Sequence, residues 1–146
     1  MSTSTADNIN KPTFNNPYGN QAVRIGSIAA LTTQALGDSI DLMKLPAGAF
    51  VSGGFITVGT AVATATVCVG VRYADGTSTG GTTGTDVMGT GVPLTTARAP
   101  QFLNFVPFTN DADTIVYATQ VGAGGATPGA NIKLAAVVSY EPTGSK

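Results

Sequence analysis

The chain has 146 residues, a length that suits one domain built around one sizeable core. Only 10% of its residues are charged, and the seven basic ones (Lys11, Arg24, Lys44, Arg72, Arg98, Lys133, Lys146) are scattered singly through a chain of net charge −1. That scatter argues against a nucleic-acid footprint, and the absence of His removes the commonest general base and transition-metal ligand.

Residues 1–21 are polar, rich in Ser, Thr and Asn, and show no period. They read as an extended N-terminal arm outside the core. The arm carries two aromatics, and Phe14, Pro17 and Tyr18 are its candidate partner-binding residues. Its start, MSTSTADNIN, lacks a basic and an apolar region, so no signal peptide is expected.

Residues 22–142 read as one β-domain, with a short tail at 143–146. AVRIGSIAAL (22–31) opens it, with a break in phase near Gly26. DSIDLMKL (38–45) places Ile40 and Leu42 on one face and Asp41 on the other. LPAGAFVSGGFITV (45–58) begins as a turn, with Pro46 presetting φ and Gly48 free to take a positive one. It continues as a strand whose phases conflict: Phe50, Ile56 and Val58 fall on one face, Val51 and Phe55 on the other. A bulge at Gly53–Gly54 would bring Val51 beside Ile56 and Val58. The alternative is a strand buried on both faces, one of them against a partner.

TATVCVGVRY (64–73) alternates cleanly, with Ala65, Val67, Val69, Val71 and Tyr73 together and Cys68, Gly70 and Arg72 opposite. Residues 74–91 are nearly all Gly, Thr, Ser and Asp and read as a long surface loop, with a short weak strand near Val87 and Met88. QFLNFVPF (101–108) is apolar on both faces, and Pro107 pushes its end to an edge or bulge. DTIVYATQV (113–121) places Ile115, Tyr117 and Val121 together. Residues 121–130 form a Gly-rich hairpin loop, and NIKLAAVVSY (131–140) closes the domain with Ile132, Leu134, Ala136, Val138 and Tyr140 inward. No 3.6-residue apolar stripe appears. Seven or eight short strands of this kind predict an all-β, antiparallel β-sandwich of jelly-roll type without substantial helix.

The chemistry-bearing residues point to no catalytic residues, no metal and no cofactor. The single Cys68 has no His to activate it and cannot form an intrachain disulfide. Asp38 and Asp41 are three apart in a strand and point to opposite faces. Asp111 and Asp113 have the spacing of a Ca²⁺ loop, but no third acid follows, and a turn in which Asn and Asp bond their own backbone explains them as well. The Gly-rich loops lack the phosphate-cradling pattern and precede no helix. There is no Trp to floor a sugar cleft. No apolar run is long enough to span a membrane, since 61–73 is too short and is broken by Thr. Low charge on this scale fits a surface partly covered by other protein.

The order DSIDLMKLPAGAFVSGGFITV, followed by the alternating VCVGV strand, resembles small structural proteins of tailed bacteriophages. The closing DTIVY and IKLAAVVSYEP segments are similar to the last hairpin of the same domains. The likeness covers residues 25–73 and 111–142 and leaves out the arm and the 74–91 loop. It implies a non-enzymatic head decoration (cement) protein with a jelly-roll-like fold. Such a protein binds the major capsid protein lattice on the virion's outer surface, associates with itself as a trimer or dimer, and is made in the host cytoplasm. A tail- or fibre-associated component is the alternative within the virion. A carbohydrate- or cell-surface-binding sandwich is the alternative outside it, and would need Tyr73, Phe102, Phe105, Phe108 or Tyr117 exposed, whereas their strand phases mostly suit a core.

Overall fold

A computed structural model describes residues 3–5, 22–31, 37–61, 65–76, 84–121 and 132–142. Ten strands run through them: β1 (Thr3–Thr5), β2 (Ala22–Leu31), β3 (Ser39–Leu45), β4 (Ala49–Val58), β5 (Thr66–Tyr73), β6 (Gly84–Pro93), β7 (Gln101–Phe102), β8 (Phe108–Thr109), β9 (Thr114–Gln120) and β10 (Ile132–Pro142). No helix occurs among the described residues.

The strands form two sheets, ordered β1-β3-β9-β5-β6 and β2-β10-β4-β7, with β8 also paired to β4. β7 and β8 lie along the same strand, β7 against Phe55–Ile56 and β8 against Phe50–Val51. They are one strand interrupted at 103–107, where Pro107 lacks the N–H a ladder needs. Counted this way and without β1, the chain is a single long antiparallel hairpin. β2 pairs β10, β3 pairs β9, β4 pairs β7 and β8, and β5 pairs β6. Winding that hairpin on itself puts alternate pairs into opposite sheets, which is the jelly-roll order of eight strands.

The core lies between the sheets. Leu42, Met43, Leu45, Val51, Ile56, Val69, Val71, Met88 and Val116 are fully buried there. On β5 the expected alternation holds, with Val67, Val69 and Val71 inward and Arg72 outward. Cys68 and Gly70, on the outer phase, are nonetheless buried. On β9, Ile115 and Tyr117 share a face, and it is the outer one; Val116 and Ala118 fill the core.

The two awkward glycine sites have distinct causes. The register between β4 and β10 shifts between Ser139, opposite Gly53, and Tyr140, opposite Val51. β4 therefore carries one extra residue, Ser52, beside the glycine pair. That bulge restores phase: Val51 and Ile56 are fully buried and Val58 nearly so. Gly26 is a case of close approach. A Cβ built on it would overlap the Leu42 carbonyl oxygen and lie 2.6 Å from the carbonyl carbon. Here β2, in one sheet, meets β3, in the other, beside a register shift between Asp41 and Met43.

Three expectations change. The expected loop at 74–91 ends earlier and the short strand expected near Val87 and Met88 is longer, because Gly84–Pro93 is a ten-residue strand paired with β5 through two register shifts. The three glycines, Asp86 and Pro93 of this segment disfavour a strand, so the pairing is imposed by β5 and by Met88 and Val92 packing inward. The pairing is also not wholly antiparallel, since β1 runs parallel to β3, with Thr3 opposite Ser39 and Thr5 opposite Asp41. The first residues of the expected arm are therefore part of a sheet. Phe14, Pro17 and Tyr18, the 121–130 hairpin loop and the side chains of β10 lie outside the described residues.

Candidate functional site

The acidic residues that sequence spacing singled out are engaged in structural contacts. Both carboxylate oxygens of Asp111 accept from the Tyr73 hydroxyl at 2.8 Å. Asp113 accepts from the Ala47 N–H at 3.0 Å and pairs with Lys44 Nζ at 3.0 Å. The expected turn, in which these acids bond their own backbone, is thus corrected: Asp113 ties the 46–48 turn to the start of β9. The Lys44 ammonium and the Ala47 N–H hold the Asp113 carboxyl below its ordinary value. Burial, with the Asp111 carboxylate beside it, pushes the Tyr73 phenol up. Among the described residues no group of three or more His, Cys, Asp or Glu is placed to hold a metal.

The outer face of the first sheet carries a charged cluster. Tyr117 on β9 stands between Asp41 on β3 and Gly70 on β5 in the ladder. Gly70 contributes no side chain, and Tyr117 is only 9% exposed. The Arg72 guanidinium lies 5.4 Å from the Tyr117 ring centroid and donates to Asp41 Oδ2 at 2.5 Å. The other oxygen, Asp41 Oδ1, is buried without a partner. Burial raises the Tyr117 hydroxyl's pKa, partly offset by Arg72.

The outer face of the second sheet is different. Its register sets Ile25 (β2), Val137 (β10), Phe55 (β4) and Phe102 (β7) in one row across all four strands. Phe55 and Phe102 meet edge to face, with centroids 6.0 Å apart. The row on one side is Ser27, Ala135 and Thr57; on the other it is Val23, Ser139 and Gly53. None of these ten positions carries a charge. Ile25 is 52% exposed and Phe102 77%. An uncharged depression of about 400 Å³, lined by Gly91, Pro93, Gln101, Phe102 and Asn104 among others, opens beside the end of the row.

Sheets with one solvated face normally alternate apolar-in and polar-out. Here Arg72 and a buried Asp41 mark one outer face, whereas Ile25 and Phe102 stand exposed on the other. Of the five aromatics weighed from sequence, Tyr73, Phe108 and Tyr117 are buried, Phe105 is partly buried, and Phe102 is exposed. Phe102 is the one of the five whose exposure its strand phase does not indicate. The segment 101–108 is apolar in both phases, so no periodicity says which aromatic faces out. Val106, 84% exposed beside Pro107, belongs to the same interruption.

No protein-family model matches the chain, and no curated protein matches it. Solved structures do. The chain is similar to a chain of the capsid of Ralstonia phage GP4, at 21% identity and a TM-score of 0.74, over 99% of this chain and 100% of that one. It is similar to a chain of the cyanophage Pam1 capsid asymmetric unit, at 20% identity and 0.59, over 87% and 89%. A chain of the acid-stable capsid of Helicobacter pylori bacteriophage KHP30 follows at 21% and 0.51, over 82% and 86%. The chain thus shares its all-β, jelly-roll-like fold with chains found in phage capsids.

Proposed function

We propose that this protein is a non-enzymatic component of a bacteriophage virion, and specifically a decoration protein that binds the outer surface of the head lattice and stabilises it. The observation that carries the reading is the whole-length match in fold to a chain of a phage capsid, with both chains covered almost end to end. Low charge supports it, because a lattice-bound protein spends its working life partly covered. The partners are the major capsid protein and further copies of this chain. In the 1–21 arm, Phe14, Pro17 and Tyr18 are the residues proposed to lie on a neighbouring subunit.

The mechanism is mass action. A protein that binds the assembled lattice and not its separated subunits stabilises the lattice by the free energy of its own binding. The jelly roll supplies a stiff body for this, two sheets sharing one dry core, and no bond is made or broken.

The test mixes purified protein with phage heads that lack it and separates bound from free by sedimentation. Saturable binding at a fixed number per head, with later release of DNA on heating, is the expected result. No binding to heads, together with binding to glycans, would replace this reading by the carbohydrate-binding one. Because β1 belongs to a sheet, the arm is best tested by Phe14→Ala with Tyr18→Ala in the full chain. Tighter-than-background binding that is unchanged by both substitutions would remove the arm from the account.

A further inference from the structure

We infer that the strip of chain from Arg98 to Pro107 is the contact with the head lattice, Phe102 and Val106 entering an apolar recess of a capsid subunit and Arg98 meeting a carboxylate at its rim. This rests on the head-binding reading and assigns residues to it.

The strip runs antiparallel to β4 as the margin of the second sheet. The Arg98 N–H donates to the Val58 carbonyl at 2.7 Å, Gln101 and Phe102 pair with Ile56 and Phe55, and the Leu103 N–H donates to the Gly54 carbonyl at 3.0 Å. β8 resumes the pairing opposite Val51. Leu103 and Phe108 are buried in the core. The backbone is thus tied down at both ends, and little conformational freedom is left to lose on binding. Yet Phe102 and Val106 are the two most exposed large hydrophobic residues among those described, and Asn104 and Pro107 beside them are exposed as well.

Arg98 is the one charged residue between Asp86 and Asp111. It is exposed, and its φ of 59° lies in the left-handed region that residues other than Gly disfavour. Gly or Asn would suit that backbone better. A cation kept there against its own conformational preference points to a contact made by the side chain.

Charge and area together select the occupant. An apolar pair of side chains with a single cation beside it complements an apolar recess with one acid at its edge. This chain's own carboxylates are poorly suited to supply that acid: Asp38 and Asp41 are buried, Asp111 holds Tyr73 and Asp113 holds Lys44. The apolar surface the strip offers is on the order of 300 Å². A stable free dimer covers roughly 800 Å² per partner. A patch this small serves as one contact among several on a lattice, where each makes the next effectively intramolecular. The uncharged depression of about 400 Å³ beside Phe102, between β6 and the strip, can take a side chain of the capsid subunit in return.

The test is sedimentation of full-length variants with heads that lack the protein, with circular dichroism melting as the folding control. Phe102→Asp and Val106→Asp are each expected to weaken head binding about 30-fold, the loss brought by removing an anchor. Val106→Asp should do so at an unchanged melting temperature, which separates the effect from any loss of the Phe55–Phe102 contact. Arg98→Gly relieves the positive φ, so it should melt at or above the wild-type temperature while binding about tenfold more weakly and with a flatter salt dependence. Wild-type affinity in both Asp variants, or Arg98→Gly with binding and salt dependence unchanged, would overturn the inference while leaving the head-binding reading in place. Self-association of the free chain that Phe102→Asp abolishes, with head binding intact, would overturn it by giving the strip to a second copy. A wild type that does not bind heads removes the head-binding reading itself, and this inference with it.

Discussion

Gly26 of β2 stands against the main chain of Leu42 in β3, so close that no Cβ fits between them. This approach joins the two sheets at a point where neither can yield, because the obstruction is backbone. Gly26→Ala is therefore expected to cost about 3 kcal/mol, at the upper end of overpacking penalties. Urea unfolding checks it. A loss below about 1 kcal/mol would mean the sheets separate there easily.

Met88 reports on β6. It is fully buried although it sits in a run of Gly and Thr. Met88→Ala is expected to destabilise by about 2–5 kcal/mol, the range for emptying a core site. Were residues 74–91 all surface loop, the same change would be nearly neutral.

Arg72 and Asp41 form an unequal pair, with side chains 40% and 9% exposed. Removing Arg72 leaves a buried carboxylate with both oxygens unpartnered. Arg72→Met should cost about 2 kcal/mol, less than for a fully buried pair because Arg72 reaches solvent. Adding Asp41→Asn should return part of that loss. Thermal melts of the two single variants and the double one give the coupling, and strict additivity would show that the pair does not interact.

Asp113 gives stability a dependence on acid. Lys44 and the Ala47 N–H lower its folded pKa. Its contribution is thus present above the unfolded carboxyl value and is lost as pH falls through the folded one. Asp113 is half exposed, and after screening the effect is below about 1 kcal/mol. Melting temperature from pH 6 down to pH 2 should fall less steeply in Asp113→Asn than in the wild type. Parallel curves would show that Lys44 and Ala47 do not stabilise the ion.

Much of the fold was legible because β-strands announce themselves by alternation. The conflict of phase in 50–58 even revealed the bulge, since Val51, Ile56 and Val58 can share a face only if a residue is inserted beside the glycines. What sequence could not show was anything decided by pairing. β6 is a strand because β5 lies beside it, and β1 joins a sheet because β3 offers an edge. The candidate surface was less legible still. It depends on Ile25, Val137, Phe55 and Phe102 falling into one row, and a register spanning four strands far apart in sequence leaves no local signal. Phe102 in particular sits where both phases are apolar.

A reconstruction of the intact virion by electron cryomicroscopy tests the central claim most directly. The account predicts density for this jelly roll on the outer surface of the head, seated where capsid subunits meet. Density found only in the tail, or inside the shell, would contradict it.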